Sequence, residues 1–289
     1  MVAIRNFALL LTVGLLVGLP PRGHGEGSAP EPTGHPETSL FAQSAARVLI
    51  REFSSGTISF LLFDARSGTV LASRWENPET PIPLGSLVKP FTALAYGEQH
   101  GFQYPTHVCR GTRTGCWLPR GHGAVDLTSA IAYSCNSYFR MLTAKLTAAA
   151  VFPTAARFGL QPPVATISGP ALAGLGNRWL ISPLNMAHAY LELARRRDQP
   201  GVRQILAGMA QSAEQGTGTA VDRALPFPDA LVKTGTAACS HGTHTPGDGF
   251  TVAMAPADQP RILLMVRVHG VPGAQAAKTA GQMLRRIEE

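Results

Sequence analysis

Residues 85–91 read Gly85-Ser86-Leu87-Val88-Lys89-Pro90-Phe91, and the apolar positions continue at Leu94 and Ala95. This spacing predicts a helix buried on a wide face. Pro90 has no N–H and is tolerated only in a first helical turn, so the helix starts close to Ser86. Residues three apart on a helix share a face, which places the Lys89 amine beside the Ser86 hydroxyl. A serine hydroxyl becomes a strong nucleophile when a base takes its proton, and Lys89 can be that base only when neutral.

Outward from this helix the periodicity changes twice. Upstream, Thr57–Phe63 and Thr69–Ser73 are strand-like runs joined by Asp64-Ala65-Arg66-Ser67-Gly68, which predicts a hairpin preceded by a helix over Leu40–Phe53. Downstream, Asp126–Leu146 is helical except at Tyr133-Ser134-Cys135-Asn136-Ser137, and Ser182-Pro183 supplies an N-cap and first position for a helix reaching Arg195. Leu231–Ala237, Phe250–Ala255 and Arg261–Val268 read as strands, and Val271–Ile287 closes the chain as an amphipathic helix. The expected fold is α+β: one antiparallel sheet flanked by helices, with an inserted helical region.

Composition narrows the classes. With 45% hydrophobic and 15% charged residues the 289-residue chain is not a disordered one, and no fixed-period repeat suggests a solenoid. A net charge of +7 without a long Lys/Arg run, and without a binding motif, gives no support for nucleic acid. Arg5 followed by the apolar run Phe7–Leu19 and then Pro20-Pro21-Arg22-Gly23-His24-Gly25 has the pattern of a secretory leader. Residues 1–25 are expected to be a signal peptide or short membrane anchor, 26–37 a Pro/Gly-rich linker, and 38–289 the folded domain. Export to the periplasm or cell envelope follows, with residues 7–19 as the tether to the inner membrane if the leader is retained.

Export permits disulfides. Cys109 and Cys116 flank the loop Arg110-Gly111-Thr112-Arg113-Thr114-Gly115 and are the candidate bridge, leaving Cys135 and Cys239 unassigned. The spacing does not read as a zinc motif, because no second Cys pair or His pair follows at ligand distance. His241 and His244 lie in a stretch that reads as a solvated loop. No metal or cofactor is expected.

Two further short elements complement Ser86 and Lys89: Ser134-Cys135-Asn136 and Lys233-Thr234-Gly235. Lys233 supplies a second cation that would depress Lys89. Ser134 can relay a proton to a leaving amine, and the Asn136 amide can hold a substrate amide. Gly235 lets a strand backbone approach a ligand, and the N–H groups of Ser86 and Thr236 would then form an oxyanion hole.

With these elements in order, the chain resembles the transpeptidase domain of the penicillin-binding proteins. The resemblance extends through Gly121-His122-Gly123, Asp126-Leu127, Ala132–Phe139, Ile181–Tyr190, Lys233–Ala237 and Asp248–Ala253. It implies Ser86 as nucleophile and Lys89 as base. Ser134 and Asn136 would serve proton transfer and amide binding, while Lys233, Thr234 and Thr236 would hold the substrate carboxylate and complete the oxyanion hole. The implied substrates are D-Ala-D-Ala stem peptides of peptidoglycan, with β-lactams as covalent inhibitors, and the implied activity is DD-transpeptidase or DD-carboxypeptidase. The same motifs serve serine β-lactamases, some of which use a Glu-activated water, but Lys145–Arg178 contains no Asp or Glu. A non-enzymatic β-lactam or muropeptide sensor is the third reading.

Overall fold

The computed structural model describes residues 36–239 and 247–289. The expected leader lies outside these residues, as do His241, His244 and the expected linker up to residue 35. Pro36 and Glu37, assigned to the linker, instead begin the first helix.

Helix α1 (Pro36–Glu52) leads into the hairpin of β1 (Ile58–Asp64) and β2 (Val70–Arg74). Strand β3 (Ile82–Pro83) enters a 3₁₀ turn at Gly85–Val88, continued by α2 (Lys89–Gln99). The helical insertion carries a small hairpin, β4 (His107–Cys109) with β5 (Gly123–Val125), then α3 (Leu127–Ala132), α4 (Asn136–Thr143) and α5 (Ala148–Arg157). Strand β6 (Leu180–Ile181) pairs with β3 and precedes α6 (Pro183–Arg195), α7 (Val202–Gln215) and the short α8 (Thr219–Asp222). Strands β7 (Leu231–Ala237), β8 (Asp248–Ala255) and β9 (Ile262–Val268) return to the sheet, and α9 (Gly273–Glu288) ends the chain.

The main sheet runs β2-β1-β9-β8-β7, with every neighbouring pair antiparallel. Its central strands are apolar at consecutive positions because both faces are covered. Side chains alternate across a strand, so Phe60 and Leu62 of β1 join Leu264 and Val266 of β9 on one face, against Ala45 and Leu49 of α1 and Met283 and Leu284 of α9. On the other face Leu61, Phe63, Leu263 and Met265 pack with Phe91 of α2 and Tyr190 of α6. Each such large side chain contributes about 1.5–3 kcal/mol by leaving water. This is the expected antiparallel sheet flanked by helices with a helical insertion.

Local signals set the helix starts around the insertion. Asp126 caps α3 by accepting from the Ser129 N–H, while the Ser129 hydroxyl returns to the Asp126 N–H, a reciprocal capping box. Ser182 caps α6 through the Asn185 N–H at 3.0 Å, with Pro183 at its first position. Among the described residues no helix is long and apolar enough to cross a membrane.

Candidate active site

Ser86 sits in the 3₁₀ turn rather than in the α-helix proper, which begins at Lys89. Three residues per turn still place Ser86 and Lys89 on one side. Pro90 falls in the first turn of α2, as its missing N–H demands. The turn is held from several sides. Leu87 and Val88 are fully buried, and the buried Tyr190 hydroxyl donates to the Leu87 carbonyl at 2.8 Å. Gly85 has φ +57°, and a Cβ there would lie 2.1 Å from the Thr236 carbonyl oxygen, so only glycine lets the turn meet β7.

The second element is the corner between α3 and α4. Helix α3 closes with the Cys135 N–H on the Ala130 carbonyl and the Ser134 N–H on the Ile131 carbonyl. The chain then turns through Ser134 at φ 49°, a left-handed conformation uncommon for a residue with a Cβ. This turn puts the Ser134 hydroxyl between two lysines. Lys89 donates to the Ser134 carbonyl at 2.8 Å, to its hydroxyl at 3.3 Å and to Asn136 Oδ1 at 2.7 Å. Lys233 donates to the same hydroxyl at 2.9 Å and to the Thr234 carbonyl at 2.7 Å. Both lysines are fully buried. Burial pushes the Lys89 amine down to about 7. Burial, with the charge of Lys89 beside it, pulls Lys233 well below the usual lysine range.

The third element is β7, the edge of the sheet. Gly235 lies against the nucleophile turn, where a Cβ would come within 2.6 Å of the Leu84 carbonyl oxygen. Thr234 pairs through its hydroxyl with Thr217 at 2.6 Å, and the Thr236 hydroxyl accepts from the Gly273 N–H at 2.9 Å.

Together these elements line a cleft of about 310 Å³. Ser86, Ser134, Asn136, Thr234, Gly235 and Thr236 line it, and the two lysines lie buried behind that lining. Among the described residues the Ser86 hydroxyl makes no hydrogen bond, and the Lys89 ammonium is directed to Ser134 and Asn136. Sequence reasoning missed Trp117, Leu175, Thr217 and Gly273, which also line the cleft. Thr217 had a signal: it stands between Gly216 and Gly218, and such a small-residue run suits close backbone approach.

The cysteines require a correction. Cys109 and Cys116, expected as a bridge, are free thiols. Their loop does not fold onto itself alone; it docks on the α3–α4 corner, and Cys135 and His122 enter the same pocket. Cys116 and Cys135 sulfurs lie 3.9 Å apart, and His122 Nδ1 is 3.6 Å from Cys109 and 3.5 Å from Cys116. These four side chains are able to hold a metal ion, which spacing alone had not suggested. Burial would raise the Cys109 thiol, but the backbone N–H groups of His122 and Gly111, together with the Cys135 and Cys116 side chains, bring it below the usual thiol range.

Residues 58–289 match the family model described as the penicillin binding protein transpeptidase domain. Among curated proteins none matches. The fold is similar to Pseudomonas aeruginosa PBP2 in complex with WCK 5153, at TM-score 0.69 and 18% identity over 86% of this chain and 73% of that one. It is similar to Helicobacter pylori PBP2 in its complex with MreC, at TM-score 0.69 and 16% identity over 86% of this chain and 62% of that one. For the transpeptidase domain of Burkholderia pseudomallei penicillin-binding protein 3 the TM-score is 0.63 at 18% identity, covering 87% and 92% of the two chains. At such identities these structures bear on the fold.

Proposed function

The chain belongs to the penicillin-binding protein transpeptidase domain family, and from that premise we propose that it is an exported serine acyltransferase acting on the D-Ala-D-Ala end of peptidoglycan stem peptides. The observation that carries this reading is the Ser134 hydroxyl, held by two buried lysines in a cleft that Ser86 and β7 line.

In this reading Ser86 Oγ attacks the penultimate D-Ala carbonyl and its proton passes to neutral Lys89. The oxyanion is held by the N–H groups of Ser86 and Thr236. The C–N bond breaks, the departing D-Ala amine gains a proton through Ser134, and a seryl ester remains. An acceptor amine or water then attacks the ester, giving cross-linking or trimming, and the Ser86 hydroxyl is restored. Asn136 orients the substrate amide, while Lys233, Thr234 and Thr236 hold its terminal carboxylate. A β-lactam follows the same path to the ester, but its ring nitrogen stays attached and the adduct persists.

The β-lactamase reading needs a group that drives deacylation. Among the described residues no carboxylate lines the cleft, which favours a long-lived adduct. The test is intact mass over time after benzylpenicillin, beside Ser86→Ala. One stable adduct on the wild-type chain and none on the variant is expected. An adduct that disappears while drug is consumed would make the protein a β-lactamase, and no adduct on folded wild type would sink the catalytic reading.

A further inference from the structure

We propose that Cys109, Cys116, His122 and Cys135 bind one Zn2+ ion in a closed tetrahedral site that fixes the corner carrying Ser134 and Asn136. The ligand atoms come from three places: the end of β4, the loop that follows it up to the start of β5, and the residue preceding α4. All four lie within 4.8 Å of one another.

The distances match a metal rather than a bridge. Zn–S bonds of about 2.3 Å and a Zn–N bond of about 2.0–2.1 Å, set tetrahedrally, place sulfurs about 3.8 Å apart and sulfur and nitrogen about 3.6 Å apart. The structure has 3.9 Å between the Cys116 and Cys135 sulfurs, and 3.6 and 3.5 Å from His122 Nδ1 to Cys109 and Cys116. A disulfide would draw two sulfurs to about 2.0 Å and leave the third thiol and the imidazole facing it. His122 is already oriented, with its ring stacked on Tyr133 at 5.4 Å and edge-on to Trp117 at 5.4 Å. Three thiolates and one imidazole select a soft-tolerant divalent ion, and four protein ligands leave no open position, so the site is structural. Binding releases the three thiol protons to solvent and leaves the ion four-coordinate.

The consequence reaches the cleft. Cys135 stands between Ser134 and Asn136, so a metal–sulfur bond at Cys135 ties their backbone to the β4–β5 loop. That loop also supplies Trp117, whose indole N–H donates to the Tyr133 carbonyl at 3.2 Å and whose ring lines the cleft. The metal holds Ser134 in its left-handed turn and so keeps its hydroxyl between the two lysines. This kinetic consequence rests on the acyl-transfer reading; the metal site itself does not.

The experiment measures zinc and free thiols in the full chain purified without chelator, then repeats this with Cys116→Ser. At least one zinc per chain is expected in the wild type, with one equivalent lost in the variant. Cobalt substituted for zinc should give thiolate-to-metal charge-transfer absorption. Should Cys116→Ser fail to fold, a chelator titration of the wild type serves, and a fall in its melting temperature is expected. Stripped protein should acylate about 100-fold more slowly, the scale of a 1 Å misplacement. A wild-type chain that lacks zinc, whether it carries a Cys–Cys disulfide or reactive thiols, would overturn the proposal. So would a cobalt form without charge-transfer bands. These readouts fail or succeed whether or not benzylpenicillin forms an adduct.

Discussion

Lys89 and Lys233 converge on one oxygen, the Ser134 hydroxyl, at 3.3 and 2.9 Å. Both ammonium groups are cut off from water. Two cations this close in a low dielectric repel, so a proton leaves the pair far more readily than it leaves a solvated lysine. The arrangement therefore prepares a neutral amine within the buried lysine pair that meets at Ser134.

The pH dependence follows in sign. A base is competent when deprotonated, and Lys89 loses its proton as pH rises through about 7. The second-order rate of benzylpenicillin acylation is expected to rise across that range and level off above it. Lys89→Arg should remove both the limb and most of the rate, because a guanidinium does not deprotonate in proteins. A flat stopped-flow profile around neutrality would remove Lys89 from the role of base.

Gly85→Ala tests the contact between the nucleophile turn and β7. The added Cβ meets the Thr236 carbonyl oxygen at 2.1 Å, and the residue also stays at φ +57°. Gly101→Ala is the control: φ is +59° there, but nothing lies within 4 Å. The control should cost about 1–2 kcal/mol from backbone conformation alone. Gly85→Ala should cost at least about 1–3 kcal/mol more, read by urea denaturation. Equal losses would show that the close approach is not a constraint.

Thr217→Val keeps the side-chain shape and removes the hydroxyl that meets Thr234 at 2.6 Å. Its loss leaves the buried Thr234 hydroxyl without that partner, at about 1–3 kcal/mol. The apparent affinity for β-lactams with a free carboxylate should fall about tenfold or more, since 1.4 kcal/mol is a factor of ten. The limiting acylation rate should stay close to wild type. A variant indistinguishable in affinity would place Thr217 outside the binding machinery.

Much of this was legible before any coordinates. The hairpin and the three later strands announce themselves because a sheet covered on both faces requires apolar runs such as Ile58–Phe63. Pro90 located the helix start to within a few residues, though not its 3₁₀ opening, since both helix types carry the same spacing over one turn. The polar break at Tyr133–Ser137 marked the α3–α4 corner, but nothing in composition announces that Ser134 takes a positive φ. The cysteines were misread for a physical reason. Spacing rules detect ligands paired on one turn, whereas Cys135 is 19 residues from Cys116 and reaches it only because the loop packs on another element. Thr217 had only its flanking glycines as a signal, because its partner Thr234 lies 17 residues away.

Next to the cleft, main chain packs directly against main chain. A Cβ at Gly85 would strike Thr236, one at Gly174 would strike Gly85, and one at Gly273 would strike Gly235, each within 2.4 Å of a carbonyl oxygen. At each of these contacts the nearest atom is a backbone oxygen, which no substitution can trim, swap or enlarge. Point substitution at these glycines is therefore blocked by the backbone itself, whereas Trp117, Leu175 and Thr217 line the cleft with side chains that can change.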